Sequence, residues 1–197
     1  MNSLTEQIAA AAAQLVVEDG LEYSAAKRKA ARHLAGRGLR QGDLPRNEQV
    51  EDEVRTYLET FCADTQPAEL QALREVAALW MDRLAAHRPH LGGAVWRGTA
   101  TRRSAVLLDL YCDDPKSAEI ELINQGVDYD AGDDGSADAV PVLMLGTRSD
   151  ALGEVVTVHL LLHDLDDLRG ALKPDAQGRS WRGDRQALQR LMTAEAA

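Results

Sequence analysis

Asp109 is the residue whose type and position most directly suggest chemistry. It falls in the alternating segment Ala105–Cys112, which predicts a strand that carries this one acid on an otherwise apolar element. Asp113 follows just beyond the predicted strand. Carboxylates can bind a hard metal ion or take part in proton transfer, so we name Asp109 and Asp113 as candidate catalytic residues.

A glycine-containing basic loop precedes this strand. Gly93 and Gly98 permit tight backbone conformations, and Arg97 adds positive charge between them. The stretch Leu91–Asp114 therefore predicts a strand, a tight basic loop and a second strand that ends in paired acids. This pattern indicates where a site would lie, and it does not by itself establish an activity.

The helical spacing of apolar residues predicts that the amino-terminal part of the chain is α-helical. The first helix, Leu4–Glu18, follows a capping box formed by Ser3 and Glu6. A second helix, Tyr23–Leu34, carries a basic face, and Asn47 is the predicted N-cap of a third.

Strands and shorter helices are predicted after these three helices. A long amphipathic helix at Ala68–His87 is expected to pack on the sheet. Beyond the opening strands, further strands are predicted at Val127–Asp130, Val140–Gly146 and Val155–His163, with a flexible acidic loop at Ala131–Asp138.

This order of elements predicts an α+β protein. Residues 1–64 form an amino-terminal helical region, and residues 65–197 form a small mixed β-sheet with flanking helices. At 197 residues, the chain is long enough to bury a core in one extended domain or in two small ones.

The amino-acid composition and net charge limit the kinds of molecule that the chain is expected to bind. A formal net charge of −10 argues against a general nucleic-acid binder, because phosphate contacts require clustered lysine and arginine. The two cysteines, Cys62 and Cys112, are too few and too far apart for a disulfide framework. We see neither a signal peptide nor a membrane span, so the expected location is the cytoplasm and no membrane partner is expected.

A basic cluster at Lys27–Arg40 has two interpretations. It could belong to a small helical nucleic-acid-binding unit, or it could be a solvated face that balances acids such as Glu48 and Glu51. We favour the solvated face, because the whole chain is acidic and the predicted turn is long and glycine-rich.

The segment Gly93–Leu110 resembles the signature of the nucleotidyltransferase superfamily, the polymerase-beta-like fold. In this resemblance, Gly93-Ala94 stands where the family has a Gly-Ser pair, and Arg97-Gly98 matches its Arg-Gly step. The resemblance implies a nucleotidyltransferase-like α/β region at residues 65–197 with a nucleotide as ligand. The implied ligand- or phosphate-binding residues are Gly93, Arg97, Gly98, Thr99, Arg102, Arg103 and Ser104.

The paired aspartates of that family are missing here. Two carboxylates at alternate positions of one strand hold Mg²⁺ ions against a nucleoside triphosphate. The matching positions in this chain are Ala105 and Leu107, which cannot bind a hard cation. Asp109 lies on the same strand face one pleat later, roughly 6–7 Å further along.

Two interpretations of Asp109 remain open. In the first, Asp109 forms a rearranged metal site with Asp113 and with His159 or His163 from another strand, and imidazole would favour Zn²⁺ over Mg²⁺. In the second, Asp109 is structural and pairs with Arg97 or Arg102, His159 is an ordinary strand residue, and Asp113 caps a helix. We favour the second, so no cofactor is expected, and Mg²⁺ would be needed only by an active site.

The resemblance and the missing aspartates favour a catalytically degenerate nucleotidyltransferase-like protein that keeps weak nucleotide or phosphate binding, and they leave open whether the chain is an enzyme. One alternative is an interaction or regulatory module, whose amino-terminal helices bind a protein partner or a second copy of the chain. Another is an active, diverged transferase that uses Asp109 with Asp113 or His159.

Overall fold

The computed structural model describes residues 3–35, 44–133, 140–174, 178 and 180–195. Eight α-helices and one five-stranded mixed sheet occupy these residues, so the predicted α+β class is confirmed. The chain divides into two compact units. The first comprises Met1–Ala68 and Thr99–Arg103, and the second comprises Glu69–Gly98 and Ser104–Ala197. The sequence predicted a single boundary between residues 64 and 65. It did not predict that Thr99–Arg103 belong to the first unit.

Three helices build the first unit: α1 (Leu4–Asp19), α2 (Tyr23–Ala35) and α3 (Asn47–Phe61). The predicted capping box begins α1, because Ser3 Oγ accepts the Glu6 N–H while Glu6 Oε2 accepts the Ser3 N–H. Small side chains on α1 and α2 let the helices approach closely. The buried core is Ile8, Ala9, Ala12, Ala13, Val17, Ala26, Ala30, Ala31, Val50, Val54 and Leu58.

The structure corrects the prediction that Asn47 caps α3. Arg46 occupies the N-cap position, and the Gln49 side chain accepts its backbone N–H at 2.9 Å. Asn47 is already helical, and its side-chain oxygen accepts a hydrogen bond from Lys27 Nζ at 2.7 Å. Lys29 pairs with Asp19 at 2.9 Å.

Lys27 and Lys29 therefore contact a neutral and an acidic group of their own unit, as expected of a structural basic face. Their partners are not Glu48 and Glu51, the acids that we had named. Residues 36–40 of the predicted basic cluster lie outside the described residues.

The second unit is organised around the sheet. Its strands are β1 (His90–Gly92), β2 (Val106–Cys112), β3 (Asp130–Asp133), β4 (Pro141–Ser149) and β5 (Glu154–Asp164). Their spatial order is β1-β2-β5-β4-β3, with β2 and β5 parallel and the other pairs antiparallel. The remaining helices are α4 (Gln66–Arg83), α5 (Gly93–Arg97), α6 (Lys116–Asn124), α7 (Leu168–Ala171) and α8 (Arg185–Glu195).

The two faces of the sheet differ in burial. Even-numbered residues of β2 and β5 point to a packed face, where Leu108, Val158 and Leu160 are fully buried. Helix α4 contacts this face, since Trp80 Nε1 donates to Thr147 Oγ1 at 2.6 Å. The other face of β5 is solvent-accessible, at Thr157, His159, Leu161 and His163. The alternation read from the sequence of β5 is thus confirmed, and the chemistry-bearing residues lie on the less covered face.

Three predicted elements differ in the structure. The predicted basic loop begins as helix α5, which ends at Gly98 with φ +78°. The strand predicted at Val127–Asp130 lies three residues later as β3, because the Val127 N–H instead donates to the Leu122 carbonyl at the end of α6. The helix predicted to His87 ends at Arg83, and a 3₁₀ turn follows. Residues 134–138 of the predicted acidic loop lie outside the described residues.

The packed and open faces predict different costs for two substitutions on β5. Leu160→Ala removes a fully buried side chain and should lower the free energy of unfolding by about 2–5 kcal/mol. Thr157→Ala, on the open face, should change it by no more than about 1 kcal/mol. Urea denaturation of both variants measures the difference, and equal losses would contradict this assignment of the faces.

Candidate functional site

Asp109 lies at the centre of a hydrogen-bonded cluster on the open face of the sheet. Its Oδ1 is 2.7 Å from His163 Nε2, and its Oδ2 is 3.4 Å from Arg182 Nη1. Strand register explains the first contact, since parallel pairing sets His163 of β5 beside Tyr111, two residues along β2 from Asp109. The Asp109 side chain is 9% exposed and that of His163 is 17% exposed, so a largely buried carboxylate meets a partly accessible imidazole.

Tyr111 completes the cluster, which we call the Asp109 cluster (Asp109, Tyr111, His163 and Arg182). Arg182 Nη1 donates to the Tyr111 hydroxyl at 2.6 Å. The His163 ring stacks on the Tyr111 ring with centroids 5.2 Å apart. Burial raises the pKa of Tyr111, as does the negative charge of Asp109, while the hydrogen bond from Arg182 acts in the opposite direction. The phenol is therefore neutral at physiological pH.

The segment Ser180–Gly183 brings Arg182 to this face from far along the chain. Gly183 and Leu91 exchange two backbone hydrogen bonds, at 2.8 and 3.0 Å, which extends the short edge strand β1. Trp96 Nε1 donates to the Ser180 carbonyl at 2.8 Å. The Arg97 guanidinium lies 4.0 Å from the centroid of the Trp181 ring, a cation–π contact. Helix α5 and the Ser180–Gly183 segment therefore form one local surface beside the cluster.

Sequence reasoning missed Arg182, Tyr111 and the role of the Ser180–Gly183 segment. Of the histidines proposed as partners of Asp109, His163 makes the contact, while His159 lies opposite Leu107 in the register. Asp113 is exposed beyond the end of β2. Asp109 thus contacts a histidine and an arginine, and that arginine, Arg182, is neither of the two that we had named.

The predicted phosphate-binding residues are divided between the two compact units. Thr99, Arg102 and Arg103 belong to the first unit, and both arginines are exposed. The others, Gly93, Arg97, Gly98 and Ser104, belong to the second. Gly93 has φ +64°, and a Cβ there would lie 2.8 Å from the Leu107 side chain, so this position requires glycine. The role of these residues in binding stays a prediction.

The arrangement of the His, Cys, Asp and Glu side chains determines whether the described residues could hold a metal ion. Among the residues that the structure describes, no group of three or more His, Cys, Asp or Glu side chains is placed to hold a metal ion. At Asp109 itself, one oxygen accepts from His163 and the other faces Arg182. A divalent cation would have to displace a guanidinium to reach that carboxylate.

Cys112 has a histidine neighbour that the sequence could not reveal. Its Sγ lies 3.5 Å from His87 Nδ1, and both side chains are buried. Burial raises the pKa of the Cys112 thiol, so it is protonated at neutral pH and is not an activated nucleophile. This pair therefore supplies no reactive sulfur to the Asp109 cluster.

An open cavity of about 380 Å³ lies beside the other edge of the sheet. Its lining includes the carboxylates of Asp128 and Asp130, together with Tyr129, Met144 and Thr157. Its size suits a small ligand, but two acids repel phosphate. The cavity is therefore not the place where a nucleotide would bind.

No family model matches the chain, and neither curated proteins nor solved structures include a match to it. The nucleotidyltransferase resemblance therefore stays a prediction that rests on the residues quoted above. Over the described part of the chain, none of the helices has the length and apolar character required to cross a bilayer.

Gly183 provides a test of how the Ser180–Gly183 segment is held. A Cβ at this position would lie 2.1 Å from the Trp96 ring, so Gly183→Ala must displace either the ring or the segment. We expect a loss of about 1–3 kcal/mol in the free energy of unfolding and stronger acrylamide quenching of tryptophan fluorescence. Gly170→Ala, where nothing lies within 4 Å of the added Cβ, is the control. Unchanged quenching in Gly183→Ala would contradict the close packing.

Proposed function

We propose that the second unit is a nucleotidyltransferase-like scaffold that binds a nucleotide or another phosphate-bearing ligand and does not transfer a nucleotidyl group. One observation carries this proposal: Asp109, the acid nearest to the expected metal positions, is bound to His163 and Arg182. A nucleotidyltransferase needs carboxylates that are open to Mg²⁺. Here the positions that would supply them hold Ala105 and Leu107, and the carboxylate of Asp109 is already paired.

Electrostatics supports the loss of metal-dependent transfer. A divalent cation at Asp109 would meet the positive charge of Arg182 within a few ångströms, in a largely buried setting where repulsion is poorly screened. Removing Arg182 from the carboxylate would also leave the Tyr111 hydroxyl without its 2.6 Å donor. Metal binding at Asp109 would therefore break the contacts of Arg182 with Asp109 and with Tyr111, and it would form only the bond between the metal ion and the carboxylate.

Phosphate binding is supported by Arg97, beside the Asp109 cluster, and by Arg182, which belongs to the cluster. Arg97 ends α5 and stacks on Trp181, and Arg182 is the next residue of the same segment. Guanidinium groups donate parallel N–H bonds to phosphate oxygens. The surface formed by α5 and the Ser180–Gly183 segment thus carries donors that suit a phosphate group.

The proposal predicts binding that does not depend on a metal. Isothermal titration calorimetry with ATP, CTP, GTP and UTP should show binding in EDTA that is not strengthened by Mg²⁺. Arg97→Gln should weaken that binding by about tenfold, because one charge-assisted contact is lost. Arg148→Gln, which changes an exposed arginine of β4, should leave the affinity unaltered.

Two outcomes would overturn the proposal. Absence of heat with all four nucleotides would remove the ligand, and Mg²⁺-dependent release of pyrophosphate would show an active transferase instead.

A second candidate function concerns the helical unit. Phe61, the sole phenylalanine of the chain, is 70% exposed at the end of α3, and its ring lies 4.7 Å from that of Tyr57. Tyr57 is fixed in turn by a hydrogen bond to Glu18, which raises its pKa to about 12. An exposed aromatic side chain that packs on a partly buried, hydrogen-bonded one is a feature of protein contact surfaces. We therefore propose that α3 contacts a second copy of this chain.

Sedimentation velocity across a range of concentrations tests this homodimer. The wild-type chain should sediment faster as its concentration rises, and Phe61→Ser should abolish that rise. Thr60→Ser, at the neighbouring exposed position, should preserve it. A wild-type chain that stays monomeric at the highest concentration would contradict the proposal.

A further inference from the structure

We propose that His163 is a general base positioned by Asp109, and that the Asp109 cluster hydrolyses a phosphodiester without a metal ion. The choice of substrate class rests on the phosphate-binding function proposed above. The base itself is argued from the geometry of His163, Asp109, Tyr111 and Arg182.

The contact with Asp109 fixes which nitrogen of His163 carries the proton. An ionised carboxylate only accepts hydrogen bonds, so at 2.7 Å from Asp109 Oδ1 the Nε2 atom must be the donor. In the neutral ring, Nδ1 then carries the lone pair. A histidine with one nitrogen bound to a carboxylate and a lone pair on the other has the arrangement of a catalytic base.

The surroundings hold this arrangement in place. Arg182 Nη1 lies 3.4 Å from the second oxygen of Asp109, so the carboxylate is held from two sides. The stacked Tyr111 ring, at an interplanar angle of 23°, restricts rotation of the imidazole. On the far side of Tyr111, His90 packs edge-on with centroids 5.4 Å apart. The ring of His163 is therefore constrained by a hydrogen bond at its edge and an aromatic ring at its face.

The cluster also contains a hydrogen-bond donor without an acceptor. Arg182 Nε is buried and has no hydrogen-bond partner among the described residues, although Nη1 is bound to Tyr111. Buried donors are normally satisfied, so this unmet guanidinium N–H, on the residue that contacts Asp109, is a candidate donor for a phosphoryl oxygen of the substrate.

The proposed step needs only water. The water oxygen forms a bond to phosphorus while His163 Nδ1 takes one of its protons, and Asp109 stabilises the resulting imidazolium. The bond from phosphorus to the leaving oxygen breaks, and its electron pair departs with that oxygen. The imidazolium then returns its proton to the leaving group or to solvent, which restores the neutral ring.

The test uses bis(p-nitrophenyl) phosphate with the full chain in EDTA, where release of p-nitrophenolate is followed by absorbance. General-base catalysis contributes about 10²–10⁴-fold, so His163→Gln should lower kcat by about 100-fold or more. His159→Gln, on the same strand face, is the matched control and should retain the wild-type rate.

A second measurement does not depend on turnover or on a variant that must fold. Two-bond ¹H–¹⁵N spectra of the wild-type chain should show one histidine held with its proton on Nε2 and assigned to position 163. Wild-type hydrolysis no faster than buffer, an unchanged rate in His163→Gln, or a proton on Nδ1 of His163 would each overturn the proposal. Nucleotide binding by calorimetry is independent of these results, so its failure would instead remove the proposed ligand.

Discussion

The contact between Asp109 and its two partners is the constraint on which the second unit depends. A carboxylate that is 9% exposed is costly unless it is paired, and breaking a buried pair costs about 3–5 kcal/mol. Its partners come from a neighbouring parallel strand and from a segment near the other end of the chain. One charge thus connects β2, β5 and the Ser180–Gly183 segment, and it sets the orientation of Tyr111 between them.

Unequal coverage of the sheet explains why polar residues collect where they do. Helix α4 contacts one face, where buried leucine and valine side chains pack and Trp80 donates a hydrogen bond to Thr147. The opposite face is covered near β1 by α5 and the Ser180–Gly183 segment, while β5 remains partly exposed. Ionisable side chains are tolerated at the boundary between covered and exposed surface, because partners and solvent are both within reach.

The sequence was informative where local rules decide the structure. Alternation along β5 and the capping box at Ser3 are set by neighbouring residues, and both predictions are confirmed. Asp109 was recognised because a carboxylate breaks an apolar pattern. Arg182 was not recognised, because it lies 71 residues from Tyr111 and its loop has no periodicity that indicates a strand partner. The strand predicted at Val127–Asp130 was misplaced for a related reason. The observed strand β3 contains Asp and Gly, which have low strand propensity, and it forms because its backbone pairs with β4.

The pairing of Gly183 with Leu91 has a consequence for the synthesis of the chain. Ribosomes add about 5–20 residues per second, so the roughly 70 residues that separate Asp109 from Arg182 take on the order of 4–14 s to emerge. During that interval β2 exists without its guanidinium partner, and β1 lacks the backbone that later covers its edge. The nascent sheet therefore carries a carboxylate without its arginine partner and an open edge until the Ser180–Gly183 segment is made. This period is when a chaperone would have a surface to recognise.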